Sequence, residues 1–178
     1  RLGLTRSEYG RLLAAAQGMG RARLALLVEA VCSTGVRVSE VKYLTVEAAR
    51  SGRAEIRLKG KVRTILLPGK LSRKLLSWAR AQKITTGELF ATRTGRGLTR
   101  GQIWSEMKSL CAAAEVEPGK VFPHNLRHLF ARAFYRVSRD IARLADVLGH
   151  SSIETTRIYL LTTSAEHERT LERLNLVS

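Results

Sequence analysis

At 178 residues, with 44% hydrophobic side chains and only 3 prolines, the chain has the size and composition of one globular domain with a substantial core. Its 31 basic against 15 acidic residues leave a net charge of +16 and a pI near 11, which points to a polyanionic partner, nucleic acid before others. No apolar run approaches the roughly 18 residues of a membrane helix, and the N-terminal RLGLTRSEYG has no signal-peptide pattern.

The basic residues are spread along the chain rather than gathered beside an amphipathic helix, so a membrane surface fits poorly. Aromatic residues make up 6%, too few for a single-strand stacking platform. Double-stranded DNA gripped through its phosphates is the expected partner. Cys32 and Cys111 lie in apolar helical contexts with no metal or disulfide spacing, consistent with a reducing cytoplasm and, for a DNA partner, the nucleoid.

Thr5-Arg6-Ser7-Glu8 is a capping box, and Tyr9, Leu12, Leu13 and Ala16 follow at helical spacing, so a first helix should run to about Gln17-Gly18. A second, apolar helix is predicted from about Arg21 to Ser33, stopped by Gly35. Arg37 then precedes a short helix with Val38, Val41 and Leu44 inward and Glu40 one turn on. The period changes to two over 54–58 and 62–67, with Lys59-Gly60-Lys61 between, which reads as a β-hairpin ended by Pro68-Gly69. Leu71, Leu75, Leu76 and Trp78 mark another helix, and 88–91 a short strand. The loop Thr92–Leu98 carries Arg93 and Arg96 and suits phosphate contact; Thr99 caps a helix expected to reach about Ala114. Pro123 starts a helix carrying His124 and Arg127 on one face. Ser138 or Asp140 caps a helix ending at Gly149, and Ser151 with Glu154 forms a capping box ahead of Tyr159. Ser164 should cap a last amphipathic helix with Leu171 and Leu174. The fold class is therefore mainly α with a small antiparallel β-sheet, in one domain.

Arg37, Lys59, His124, Arg127 and His150 all fall at element boundaries, where scaffolds usually hold functional groups. Two arginines can grip a phosphate and stabilise charge on its oxygens, two histidines and a lysine can move protons, and Tyr159 offers a nucleophilic hydroxyl. No Asp/Glu or Cys/His cluster suggests a metal, so cations would do the electrostatic work. Each residue also has a plain reading. Arg37 could pair with Glu40, Lys59 could be a solubilising turn residue, and His124 could cap its helix. Arg127 could lie on a helix surface, His150 in a loop, and Tyr159 in the core.

Taken in order, these residues resemble the catalytic domain of the tyrosine recombinases, the phage-integrase and Xer-type family. Cys32-Ser33-Thr34-Gly35-Val36-Arg37-Val38-Ser39-Glu40 is similar to its first arginine motif, and Lys59-Gly60-Lys61 lies in the expected hairpin. His124-Asn125-Leu126-Arg127-His128 matches its H-x-x-R box, and Leu148-Gly149-His150 with Tyr159 match its final histidine and nucleophile. Thr155-Thr156-Arg157-Ile158-Tyr159 looks like integrases of mobile elements, and the resemblance runs from Thr5 to about Leu174.

The resemblance implies that Tyr159 attacks the scissile phosphate to give a 3′-phosphotyrosyl link and a free 5′-hydroxyl. Arg37, Arg127 and His150 would stabilise the transition state, Lys59 (with Lys61 as its rival) would protonate the leaving oxygen, and His124 would assist proton transfer. Glu40 would orient Arg37, while Lys61, Arg63, Arg93, Arg96, Arg100 and Arg157 would contact DNA. No metal, cofactor or small-molecule substrate is implied. The partners would be double-stranded DNA and further copies of the chain, four in the synapse, with 165–174 docking on a neighbour. The family's N-terminal DNA-clamping domain does not precede Arg1, so a fragment of a longer protein is expected. Competing functions are a type IB topoisomerase and a non-catalytic DNA-binding module. The H-x-x-R box, the late His150 and the run to Tyr159 favour a recombinase working through a Holliday junction.

Overall fold

Thr5 caps α1 (Arg6–Gly18) by accepting from the Glu8 amide at 3.1 Å, while the Glu8 carboxylate accepts from the Thr5 amide at 2.9 Å. The structure, a computed structural model, describes residues 3–91, 98–160 and 172–177. Helix α2 (Ala22–Thr34) is apolar around most of its circumference and correspondingly buried, with Leu24, Leu27, Val28 and Val31 almost wholly covered. It ends at Gly35 in the left-handed conformation, φ 74°. The short helix predicted after Arg37 is a 3-10 turn, Val38–Tyr43.

A six-residue helix missed in the sequence, α3 (Val46–Ser51), follows, capped by the Thr45 side chain and stopped at Gly52. The hairpin then forms from β1 (Arg53–Leu58) and β2 (Lys61–Leu66), antiparallel, with Arg53 opposite Leu66 and Leu58 opposite Lys61. Its turn is therefore two residues, Lys59 and Gly60, both with positive φ (50° and 74°) as a type I′ turn requires. Lys61, expected in the turn, is the first residue of β2. The alternation buries Ala54, Ile56 and Ile65 and brings Arg63, opposite Ile56, to the same inward face.

Helix α4 (Gly69–Ala81) packs Leu71, Leu75 and Ala79 onto the core. The strand expected at 88–91 is reduced to a bridge between Thr45 and Glu88. The helix expected from Thr99 to Ala114 is two, α5 (Arg100–Lys108) and α6 (Cys111–Ala114). At the break Ser109 Oγ donates back to the Glu106 carbonyl at 2.5 Å, the kind of local bond that competes with a continuing helix. Helix α7 (Pro123–Ser138) runs along α2, with α8 (Ile141–Leu148) and α9 (Ile153–Leu160) packed on it. Asp140, of the two candidates, caps α8; Ser152 rather than Ser151 accepts from the Thr155 amide at the start of α9. The main core lies between α1, α2, α4, α5 and α7, and a smaller cluster around Ala131, Leu144 and Leu148 includes Tyr159. The loop with Arg93 and Arg96, and the Ser164 cap and Leu171 of the last helix, lie outside the described residues.

Candidate active site

Gly35 fixes the first part of the site. A Cβ there would lie 2.4 Å from Phe130 Cδ2, so the positive φ and the close ring both demand glycine. The Gly35 carbonyl is thereby free to accept from Arg127 Nε at 2.6 Å, and Arg127 Nη2 donates to the Leu148 carbonyl at the end of α8. Arg127 is 2% exposed. Burial, and then the neighbouring Arg37, lower its pKa to about 10, which leaves it charged at neutral pH. A buried cation whose bonds go to carbonyl dipoles keeps its charge available to an incoming anion.

Arg37 stands at the start of the 3-10 turn with its side chain 38% exposed. Its amide donates to Glu40 Oε1 at 2.8 Å, and its Nη1 lies 3.4 Å from Glu40 Oε2. Glu40 is fully buried and also receives both ends of the Arg63 guanidinium, at 2.7 and 3.0 Å. Burial alone would raise the Glu40 pKa; the bonds from Arg63 and Arg37 outweigh it and hold the carboxyl below its ordinary range. Arg63 Nε donates to the Val147 carbonyl at 3.1 Å. Arg63, expected on the DNA face, is thus placed under the site with its donors directed at Glu40 and α8. The period-two pattern of β2 turns it inward.

Tyr159 comes from α9. Its ring stacks on His128 (centroids 3.6 Å apart, planes 27°) and meets the rings of His124 and His150 edge-on at 5.3 and 5.5 Å. Burial pushes its phenol up to about 12, against the pull of the Arg127 guanidinium beside it. The imidazoles move the other way. Burial, then the surrounding cations, lowers His150 to about 4 and His124 below its usual value; burial, then the neighbouring His124, takes His128 to about 3. At neutral pH a protonated phenol therefore sits among neutral imidazoles, and a neutral imidazole with a free ring nitrogen can accept a proton. His150 Nδ1 is 2.8 Å from the hydroxyl of Thr156, which is fully buried, and this bond fixes the ring.

Beside these residues opens a cleft of about 670 Å3 whose lining includes Arg37, Arg100, Trp104, Lys108, His124 and Arg127 and, among the described residues, no carboxylate. Arg100 is thus brought to the site. Lys59 and Lys61 are exposed on the hairpin and do not line the cleft. Lys59 holds φ 50° where Asn, Asp or Gly would sit with less strain, a departure that costs about 1 kcal/mol. Arg157 is exposed and paired with Glu154 at 2.5 and 3.1 Å. The sequence reading missed His128, Thr156, Trp104 and Lys108; for His128 the signal was its i+4 spacing from His124 on one helix face. Among the described residues no group of three or more His, Cys, Asp or Glu is placed to hold a metal, and no helix is long and apolar enough to cross a membrane.

Residues 3–166 match the sequence model of the phage integrase family. The chain is 34% identical over 186 aligned positions to the tyrosine recombinase XerD of Xanthomonas campestris pv. campestris, covering 94% of this chain and 57% of the relative. The crystal structure of XerA recombinase superposes with a TM-score of 0.81 at 27% identity, over 97% of this chain and 64% of that one. XerH site-specific recombinase, in a pre-cleavage complex with its difH substrate, gives 0.75 at 25% identity, over 94% of this chain and 52% of that one. The chain spans about half the length of the relatives it matches, 45% and 57% for two of them.

Proposed function

The chain belongs to the phage integrase family, and we propose that it is the catalytic domain of a site-specific DNA recombinase that cuts and rejoins strands through a 3′-phosphotyrosyl link. In the proposed reaction the Tyr159 hydroxyl attacks the scissile phosphorus and passes its proton to the neutral His124 imidazole. Arg37 and Arg127 meet the non-bridging oxygens, where the cations stabilise charge that grows in the transition state. With Nδ1 accepting from Thr156, His150 has its Nε2–H to donate to the same phosphate. The P–O5′ bond breaks, and Lys59, carried in by the hairpin, protonates the leaving 5′-oxygen. The new ester conserves the energy of the old one, so attack by a partner strand's 5′-hydroxyl reseals DNA without ATP. Arg100, with Lys61 and the loop arginines Arg93 and Arg96, grips flanking phosphates. Four copies act together on double-stranded DNA.

The observation that carries this reading is the phenol of Tyr159 enclosed by His124, His128 and His150 beside the buried Arg127. A pool of random-sequence duplexes, each nicked a few nucleotides from the potential cleavage position, tests it. The wild-type chain should capture a subset of duplexes as an SDS-stable, protease-sensitive adduct, and Tyr159→Phe should capture none. DNA binding with no adduct from the wild type would sink the reading.

A further inference from the structure

We propose that Arg63 is a positioning residue for the reaction, clamping the lysine hairpin, the Arg37 turn and the His150 segment into one unit. This rests on the recombinase reading above. Three sets of contacts carry it. The guanidinium fork closes on both oxygens of Glu40 at 2.7 and 3.0 Å. Glu40 in turn holds the Arg37 amide at 2.8 Å and lies 3.4 Å from its Nη1. The remaining edge, Nε, donates to Val147 three residues before His150, at 3.1 Å. Arg63 itself sits on β2, opposite Ile56, two residues beyond the position that pairs across the turn.

This geometry makes demands that a surface DNA contact would not. The Arg63 side chain is 16% exposed, and Glu40 is wholly buried. A buried carboxylate needs a partner that fills its acceptor sites, and a planar fork does so in a way that an ammonium cannot. Gly149 completes the seat. A Cβ there would lie 2.7 Å from Arg63 Nη1, and the residue also holds φ 75°. The glycine of the Leu148-Gly149-His150 segment is therefore required by the arginine as much as by the helix end. Arg127 caps the adjacent carboxyl-terminal carbonyl of α8, Leu148, so two arginines share the end of one helix and hold its following histidine.

Without Arg63, Glu40 keeps its bond to the Arg37 amide, but the link from the hairpin to α8 is lost. Lys59 then loses its fixed relation to Arg37 and His150. Loss of that alignment, a displacement of order 1 Å, costs about 100-fold in rate.

The test uses the duplexes captured by the wild-type chain. Arg63→Lys and Arg63→Ala are compared for DNA affinity, its salt dependence, melting temperature and single-turnover adduct rate. Expected are an affinity and salt slope like the wild type's, with the adduct rate down about 100-fold for both variants. Guanidinium ion should restore part of the rate to Arg63→Ala and none to Arg63→Lys. In an Arg37→Ala background the Arg63→Ala change should add little, because both act on one unit. Arg63 variants with full cleavage overturn the proposal. So does a fall in affinity with a salt slope reduced by about 1, which would make Arg63 a phosphate contact. A rate loss that guanidinium does not relieve, and that adds in full to Arg37→Ala, marks a purely structural role and also overturns it. A wild-type chain that forms no adduct removes the recombinase reading itself, and this inference with it.

Discussion

Gly35→Ala is the most informative single change outside the reacting groups, because its cost can be divided. The left-handed backbone, φ 74°, charges any L side chain about 1–2 kcal/mol. The added methyl would also sit 2.4 Å from Phe130 Cδ2 and 2.7 Å from Cε2, so the ring or the backbone must shift, at about 1–3 kcal/mol for an overpacked site. Together these predict a loss of roughly 2–5 kcal/mol. Gly52→Ala is the matched control. It has φ 77° and also ends a helix, but nothing lies within 4 Å of its Cβ position, so only the backbone cost of about 1–2 kcal/mol applies. Urea unfolding of the two variants measures the difference. Because the Gly35 carbonyl aligns Arg127, Gly35→Ala should also slow adduct formation about 10-fold or more, while Gly52→Ala leaves it unchanged. Adding Phe130→Leu should recover part of the stability. Equal losses at the two glycines would refute the packing argument, and an unimpaired Gly35→Ala adduct rate would refute the role given to the carbonyl.

Lys59→Asn should stabilise the hairpin by a few tenths to about 1 kcal/mol while abolishing efficient cleavage, since Asn tolerates positive φ but gives no proton to a leaving oxygen. A 5′-thio leaving group should restore cleavage to Lys59→Asn; rescue of Lys61→Ala instead would move the acid to Lys61. Arg37→Lys should bind DNA as the wild type does yet cleave poorly for want of a bidentate fork, and full activity would contradict its assignment. Stability should fall on acidification. His128 and His150 are held at about 3 and 4 in the fold, below the value of about 6.5 expected unfolded, so the unfolded chain takes up protons first. That part of the stability is intact above pH 6.5 and is lost as pH drops towards 4. Melting temperature followed from pH 8 to 4.5 should show it, with a shallower slope for His128→Phe; the same slope in both would refute the His128 contribution.

Much of the scaffold was legible because its signals are local. The capping box at Thr5, the stop at Gly35, the alternation of the hairpin and Pro123 at the start of α7 each depend on residues within one turn or one strand pair. The misreadings share a different cause. Ser109 breaks the Thr99–Ala114 helix through a side-chain bond, and α3 is too short for a period to develop. Arg63 is the instructive case. Its inward face could be read from its spacing to Ile65, but its partner Glu40 lies 23 residues away and Val147 lies 84 away, distances that no pattern spans. The stacking of His128 on Tyr159, likewise, joins α7 to α9 across a tertiary contact. Order along the chain singled out Arg37, His124, Arg127, His150 and Tyr159, while their arrangement, the inward turn of Arg63 and the place of His128 came only with the fold.

The proposed reaction turns on Tyr159 as the nucleophile. Among four tyrosines in the chain, the measurement that separates it is mass spectrometry of the peptide left attached to DNA after capture and protease digestion, with the end of the attached strand determined. Expected is a single modified peptide containing Tyr159, joined to a 3′-phosphate, with a free 5′-hydroxyl on the released strand. A link through Tyr9, Tyr43 or Tyr135, or a 5′-phosphate linkage, would contradict it.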